Sequence, residues 1–319
     1  MSASTLQEAA ARLAGHQQYP AATLYVVATP IGNLADISLR AVHVLALVDA
    51  VACEDTRHSG ALLQRLGLDK PKLAVHQHNE RGAAAEVVRR LAEGRRVAYV
   101  SDAGTPAVSD PGAWLVAAVR DAGYRVVPVP GPSSALAALS VTGDTATEGF
   151  VVVGFLPARG AARRQALQDV ARAHRAQVLF EAPHRIDGLA DELASSLAGD
   201  DAGAASPRIV TVCRELTKQF ETVATMPAQA LPGWLASEPQ RSRGEFVLVL
   251  HAPGRPPPAQ ARDGGAGGDA ALPAAAQQTL ATLLEELPLK QAVGLAVKLT
   301  GAPRNTLYQA ALKRRDGAA

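Results

Sequence analysis

The chain has 319 residues and a formal net charge of +2, and 19% of its residues are charged. This length accommodates two domains with cores of their own plus an appendage. The near-neutral charge excludes a protein whose whole surface is a basic wrap for nucleic acid, so any basic surface is expected to be local.

Cysteine content and hydropathy restrict the cellular context. Cys53 and Cys213 lie within apolar segments, which predicts buried thiols in a reducing compartment and not a disulfide framework or a zinc site. No apolar run approaches the length of a membrane span, and the N-terminus lacks the pattern of a signal peptide. We therefore expect a soluble, cytoplasmic protein.

Apolar runs alternate with helical periods along the first half of the chain. We predict a flexible N-terminal extension over 1–22 and an α/β domain over 23–145. Its strands are expected at 23–30, 50–55, 72–80, 95–102 and 125–131, each followed by a helix. Such alternation is typical of a parallel sheet that helices cover on both faces.

The second half of the chain predicts another α/β domain and a helical one. Residues 146–252 contain apolar runs with fewer helices between the last of them, which favours a mixed sheet. A Pro- and Gly-rich linker is expected over 253–273. Residues 274–319 predict three helices in a helix-turn-helix-like, RNA-binding arrangement, with a helical dimerisation tail as the alternative.

Three unusual loops are predicted at the carboxyl edge of the first sheet. They are "TPIGNL" (29–34), "SDAGTPAVSDPG" (101–112) and "PGPSSA" (130–135). Ligands of open parallel sheets bind at this edge. Gly permits close backbone approach, whereas Ser, Thr and Asp supply polar atoms at helix starts. Plain turn chemistry explains any single loop, but three together predict a pocket. Neither G-x-G-x-x-G after the first strand nor a P-loop is present, so we expect a ligand that is not held by its phosphates.

Several segments together resemble one known family. They include "YVVATPIGNLADIS", "EDTRHSGALL", "YVSDAGTPAVSDPG", "VPVPGPSSALAAL", "EAPHR" and "RGEFVLVL", in this order. The chain resembles the ribosomal RNA small subunit methyltransferase I family, within the tetrapyrrole methylase superfamily, over 23–252 and in the C-terminal helices. The resemblance implies methyl transfer from S-adenosylmethionine to the ribose 2'-oxygen of a cytidine in the decoding region of small-subunit ribosomal RNA. It also implies a homodimer and a cofactor folded between the two α/β domains.

The resemblance also implies the positions that contact the cofactor. From the first domain these are Ile31, Gly104, Thr105, Pro106, Val108, Ser133, Ser134 and Ala135. Phe180 and Glu181 are expected to reach the cofactor from the second domain. No metal is expected.

Residues for catalysis and RNA binding are predicted in the polar clusters that follow strands. Glu181, Arg185 and Arg57 are the candidates for catalysis, with no assigned general base. RNA, either free or in an assembled 30S subunit, is expected to contact the following residues, which are mostly cationic: Arg57, Asn79, Glu80, His184, Arg185, Lys218, Arg304 and Lys313.

Structural roles compete with these assignments. Asp55 or Thr56 is a candidate helix cap, and His184 is a candidate partner of a loop carbonyl as well as a base. Arg214, Glu215 and Lys218 can form a local ion network. A metal bound by His76 and His78 would need a third ligand, for which the spacing offers no candidate.

Two other functions remain open at this stage. One is a small-molecule methylase of the tetrapyrrole pathway. The other is a ligand-sensing regulator that combines an α/β pocket with DNA-binding helices.

Overall fold

The computed structural model describes residues 2–76, 79–197, 207–253, 272, 274–300 and 302–316. The chain divides into two compact units, of which the first comprises residues 1–199 and 206–254 and the second 200–205 and 255–319. The first unit contains two five-stranded sheets. No helix among the residues described has the length and apolar content needed to cross a membrane.

The first sheet is parallel throughout. Its strands are β1 (Thr23–Val27), β2 (Ala50–Cys53), β3 (Lys72–Ala74), β4 (Val97–Val100) and β5 (Arg125–Val129), in the order β3-β2-β4-β1-β5. The helices are α1 (Ala3–Ala14), α2 (Leu39–Leu47), α3 (Thr56–Arg65), α4 (Glu80–Ala92), α5 (Ala113–Asp121) and α6 (Ser134–Thr142). Tyr25 packs into the cluster on one face and Leu24 into the cluster on the other. The predicted parallel sheet with two covered faces is confirmed.

The second sheet is mixed, as predicted. Its strands are β6 (Phe150–Phe155), β7 (Ala176–Glu181), β8 (Ile209–Arg214), β9 (Thr222–Pro227) and β10 (Phe246–Leu250), in the order β6-β7-β10-β8-β9. Only β6 and β7 pair in parallel. The helices are α7 (Gly160–Arg172), α8 (Ile186–Ser196) and α9 (Leu231–Ala236). Sequence analysis missed β9 and α9.

Helix α6 joins the two sheets. Ala135 and Ala138 of α6 are buried against Val178, Cys213 and Val247 of the second sheet. Small side chains on this face permit a close approach of the helix to the sheet. The start of α6, which carries Ser133 as its N-cap, is therefore fixed between the carboxyl edge of the first sheet and the second sheet.

The N-terminal segment departs from its prediction. Residues 1–22 were expected to be a flexible extension, but Ala3–Ala14 form a helix whose N-cap, Ser2, accepts a hydrogen bond from the Thr5 N–H. Ala10 is fully buried in the core, and the Gln7 amide donates to the Leu66 carbonyl at 2.7 Å. Alanines carry the buried face, so the apolar periodicity is too weak to be conspicuous.

The third strand is shorter than predicted. It ends at Ala74, because the Asn79 side chain donates to the Ala74 carbonyl and accepts from the His76 N–H, which turns the chain toward α4. His76 therefore follows the strand, and His78 lies outside the described residues.

The second unit is helical. It contains α10 (Ala274–Glu286), α11 (Leu289–Thr300) and α12 (Arg304–Asp316), which share a core that includes Leu280, Val293 and Leu307. The three predicted helices are present. The predicted linker, 253–273, lies almost wholly outside the described residues.

Candidate functional site

The loops after β1 and β4 are tied together by their backbones. Thr29 and Gly104 exchange two hydrogen bonds, 2.9 Å from the Thr29 N–H and 3.0 Å from the Gly104 N–H. The Thr29 hydroxyl also donates to the Ser101 carbonyl at 3.2 Å. These bonds fix the relative position of the first two predicted loops.

The loop after β5 joins the same junction. The Thr105 hydroxyl donates to the Pro132 carbonyl at 3.0 Å. Gly104 has φ +79°, and a Cβ there would lie 3.4 Å from Ile31 Cγ2 and 3.8 Å from the Pro132 oxygen. Glycine is therefore favoured at position 104 for two reasons: the backbone is left-handed there, and three chain segments approach one another closely.

The C-terminal end of the 101–112 loop is fixed by side chains from β4 and α4. The Tyr99 hydroxyl donates to the Pro111 carbonyl at 2.6 Å. Gly112 has φ +124°, and a Cβ there would meet the Tyr99 ring at 2.3 Å. Glu80 is buried, and its Oε1 accepts from the N–H groups of Gly112 and Leu115. Glu80, predicted to contact RNA, thus caps α5 instead, and Asn79 forms the turn after β3.

A cavity of about 380 Å³, here called the loop cavity, opens where these loops face the second sheet. Its lining includes seven of the ten predicted cofactor residues: Gly104, Thr105, Val108, Ser133, Ser134, Phe180 and Glu181. Pro106 and Ala135 are buried behind it, and Ile31 lines a neighbouring cavity. The second and third predicted loops thus line the loop cavity together with the second sheet, whereas the first predicted loop lines the neighbouring cavity instead.

The second sheet supplies the opposite wall. Phe155 and Phe180 meet edge to face with ring centroids 5.7 Å apart, and both line the loop cavity. Gly154, at the irregularity in β6, has φ +75°, and a Cβ there would lie 3.0 Å from Ser109 Oγ. The 101–112 loop therefore rests directly on the second sheet.

Glu181 is a buried carboxylate in this wall. Its side chain is 0% exposed, and Oε1 accepts from the Ala182 N–H at 3.0 Å and lies 3.1 Å from Arg185 Nε. Oε2 lies 3.9 Å from Arg163 Nη2 and accepts no hydrogen bond from the residues described. Arg185 also donates to the Leu156 carbonyl. Glu181 lines the loop cavity with two arginines beside its carboxylate, and Arg185 is bound both to Glu181 and to the Leu156 carbonyl. His184 is exposed beside them.

Carboxylates also gather after β2 and β4. Burial raises the pKa of Glu54, and the negative charges of Asp102 and Asp110 add to the effect. Burial likewise raises the pKa of Asp110, which a hydrogen bond from Ser101 opposes. Asp110 lines the loop cavity and Asp102 lines its neighbour. Sequence analysis did not single out either aspartate, although both lie in the 101–112 loop.

Arg57 and Asp55 form an exposed pair at the start of α3. Asp55 is the N-cap, as its alternative role anticipated, and accepts from the Arg57 N–H at 2.7 Å. The Arg57 guanidinium, 91% exposed, holds the pKa of Asp55 at about 2. Arg57 is therefore open to a substrate, but it already has a local partner.

A second cavity, here called the adjoining cavity, occupies about 350 Å³ beside the first. The two share Ala103 and Glu245 in their linings. Lys218 borders the adjoining cavity with its Nζ 2.9 Å from both Glu215 Oε1 and Glu245 Oε2. Lys218 and Glu215 thus pair as the alternative structural role anticipated, with Glu245 as a further partner, whereas Arg214 donates to the carbonyls of Arg243 and Phe220 instead. In the second unit, Arg304 is exposed, and the side chain of Lys313 lies outside the described residues.

Comparison with known proteins identifies the class to which this arrangement belongs. The model of the Tetrapyrrole (Corrin/Porphyrin) Methylases family matches residues 23–232. Cobalt precorrin-4 methyltransferase superposes with a TM-score of 0.52 at 19% identity, covering 72% of this chain and 94% of that one. Uroporphyrin-III-C-methyltransferase from Thermus thermophilus gives a TM-score of 0.50 at 22% identity, with 72% and 94% covered. These two likenesses show the fold.

Curated relatives identify the family within this class. The ribosomal RNA small subunit methyltransferase I of Escherichia coli O157:H7 is 43% identical over 92% of this chain and 95% of the relative. Its namesake from Pseudomonas aeruginosa is 45% identical over 92% and 98%. The model of the RsmI C-terminal HTH domain matches residues 270–315. The chain therefore belongs to the ribosomal RNA small subunit methyltransferase I family and is a methyltransferase, which confirms the resemblance.

Proposed function

We propose that this protein transfers a methyl group from S-adenosylmethionine to the ribose 2'-oxygen of a cytidine in the decoding region of small-subunit ribosomal RNA, in the cytoplasm. The observation that carries the proposal is the loop cavity, built by the segments that resemble the family. The names of the relatives support a ribosomal RNA substrate. The 2'-oxygen and the cytidine come from the resemblance and await the experiment below.

The loop cavity suits the cofactor chemically. Its volume of about 380 Å³ is within the range of about 300–1,000 Å³ of small-molecule sites. Aromatic rings of Phe155 and Phe180 suit a flat adenine, and the hydroxyls of Ser133 and Ser134 are available to polar groups. The carboxylates of Asp110 and Glu181, which line the cavity, suit a ligand that carries a sulfonium and an ammonium group. A phosphate-binding loop is not needed.

The bound cofactor would supply an activated methyl group, which passes from sulfur to the attacking oxygen in line. The protein's task is to hold donor and acceptor in that line and to accept the proton that the ribose hydroxyl loses. Glu54, Asp102 and Asp110 are carboxylates at the sheet edge, and a raised pKa makes Glu54 and Asp110 stronger proton acceptors than ordinary carboxylates. Among the predicted catalytic residues, Glu181 faces the cofactor and Arg185 orients Glu181. Arg57 is available to RNA from the surface.

RNA binding is proposed to draw on exposed basic side chains of both units. Arg57 and His184 in the first unit and Arg304 in the second are exposed, and phosphate contacts from such residues give salt-sensitive affinity. Either naked RNA or an assembled 30S subunit would present them with phosphates. The C-terminal helices are proposed to add RNA affinity without touching the chemistry.

A homodimer is part of the proposal. Large apolar side chains are exposed on α6 and β6, with Leu136 57%, Val141 50% and Phe150 46% exposed. Exposed apolar residues of this size are characteristic of surfaces that another protein covers. A second copy of the chain is the occupant that the resemblance implies, and sedimentation of the purified protein measures it.

The proposal is tested by incubating the protein with tritiated S-adenosylmethionine and either 30S subunits, naked small-subunit RNA or a tetrapyrrole. Label is expected in the RNA, and nuclease digestion should release it as 2'-O-methylcytidine. Label in the tetrapyrrole alone would favour the small-molecule methylase. Label in neither, together with cofactor-dependent binding of duplex DNA, would favour the regulator.

A further inference from the structure

The adjoining cavity has features that the cofactor does not require. Ile31, Leu34 and Leu62 give it apolar walls, and His58 and Arg65 bring cationic or hydrogen-bonding groups to it from α3. Apolar walls suit the faces of a base, and cations suit phosphate. The mixture differs from the loop cavity, where carboxylates and hydroxyls are the polar groups.

Two basic side chains on α3 are available for a ligand. His58 and Arg65 are exposed, and within the described chain neither side chain forms a hydrogen bond or an ion pair. Lys218, on the opposite side, is already bound to two carboxylates, and its stem packs so closely on Gly32 that a Cβ there would lie 2.6 Å from Lys218 Cγ. Lys218 thus closes one side of the cavity, while the α3 side retains unused donors.

The position of the cavity also matters. Ala103 and Glu245 line both cavities, and Asp102 precedes the shared Ala103. Ligands that fill the two cavities would therefore meet at Ala103. In-line transfer requires this kind of contiguity between donor and acceptor.

We infer that the adjoining cavity binds the acceptor nucleotide of the RNA, taken out of its stack, with Arg65 as a phosphate contact. This inference rests on the proposed function. Sequence-specific RNA recognition mostly targets unstacked nucleotides of loops and bulges, and enzymes that modify a base extrude it into a pocket of this kind. The walls of this one come from α3, from the loops after β1, β4 and β8, and from Glu245, which precedes β10.

Filling the cavity tests the inference. Ala61 is exposed on α3 and lines the adjoining cavity, whereas Gln64 is exposed on the same helix outside the lining. We expect Ala61→Trp to lower kcat/KM for 30S subunits at least tenfold, with the Kd for S-adenosylmethionine, measured by calorimetry, within twofold of the original protein. Gln64→Trp should change neither quantity by more than twofold.

Arg65 supplies a second variant that leaves the cavity's shape intact. Arg65→Ala should raise KM about fivefold and reduce the slope of log KM against log salt concentration by about 1, and Arg65→Lys should restore the slope. If Ala61→Trp fails to fold, this pair decides the inference. Unchanged kcat/KM in Ala61→Trp, or loss of cofactor binding there, overturns it, as does an unchanged salt slope in Arg65→Ala. If the unmodified protein labels no RNA, the proposed function itself fails and the inference falls with it.

Discussion

The carboxylate of Glu80 and the backbone N–H of Gly112 form a hydrogen bond of 2.9 Å across 32 residues of sequence. The same Glu80 oxygen accepts from the Leu115 N–H at 3.1 Å. A buried side chain from α4 thus accepts from two N–H groups at the start of α5 that have no partner within the helix, and it anchors the end of the 101–112 loop. The shape of the loop cavity depends on this anchor.

Replacing Glu80 should loosen the loop. We expect Glu80→Ala to lower the free energy of unfolding by about 1–3 kcal/mol, because two buried N–H groups lose their acceptor. Glu80→Gln keeps one oxygen in place and should retain more of the stability. Chemical denaturation measures both. Equal losses in the two variants would show that the carboxylate charge, and not the acceptor geometry, matters.

Gly104 provides a test of the three-loop junction. Gly104→Ala should weaken binding of S-adenosylmethionine at least threefold, because it strains a left-handed residue and presses on Ile31. Gly94 also has a positive φ, +77°, but no atom lies within 4 Å of its added Cβ. Gly94→Ala should therefore cost similar stability without changing the Kd. Calorimetry separates the two variants, and equal Kd values would contradict the assignment.

The raised pKa of Asp110 implies that this residue changes the stability of the protein in a pH-dependent way. Burial holds its pKa in the folded protein above the 3.8 of an ordinary aspartate, so the native state binds this proton more tightly than the unfolded chain does. The contribution to stability is present below the unfolded pKa and is lost as pH rises through the folded one. Asp110→Asn should accordingly raise Tm at pH 7 by about 1–3 °C, with the gain shrinking below pH 4.

The control for this measurement is Asp69→Asn, because Asp69 is exposed and its removal should leave Tm nearly unchanged at both pH values. A stabilised Asp110→Asn variant should also bind S-adenosylmethionine more weakly. Stabilisation without any loss of affinity would remove Asp110 from the proposed cofactor site.

Both cysteines should resist modification in the folded protein. Cys53 and Cys213 are buried, and burial raises the pKa of Cys213 to about 11. Because the thiolate is the reactive form, a maleimide should label neither thiol in native buffer and both in denaturant, as counted by mass spectrometry. Fast labelling in native buffer would indicate local opening around β2 or β8.

The helical unit should be separable from the chemistry of the cofactor. Deleting 274–319 is expected to leave the Kd for S-adenosylmethionine within twofold and to reduce methylation of RNA at least tenfold. Calorimetry and tritium transfer measure the two quantities. Loss of cofactor binding in the truncated chain would contradict the proposed division of labour.

Sequence patterns predicted the helices and strands correctly wherever large apolar residues recur with a clear period. β1, β2 and β4 are short runs buried on both faces, and they were predicted. α1 was missed because Ala10 and Ala14, not large side chains, form its buried face. β9 was missed because Thr222–Pro227 alternate between half-buried and exposed positions at a sheet edge.

The candidate site was accessible in part. The Gly, Pro and Ser content of three loops indicated the pocket, since those residues act through local backbone geometry. The role of Glu80 depends on a contact with Gly112, 32 residues away, which no local pattern encodes. Glu245 lies in a segment quoted for the resemblance, but its place in the cavity walls, like that of Phe155, follows from the packing of the second sheet.

The contact between Ser109 and Gly154 has a mechanical consequence. The 101–112 loop contacts β6 at this point. Separation of the two sheets would therefore disrupt the loop cavity. A bound cofactor would then stabilise the contact between the two sheets. Protease resistance would rise in β6 and β7 as well as in the loops that contact the ligand.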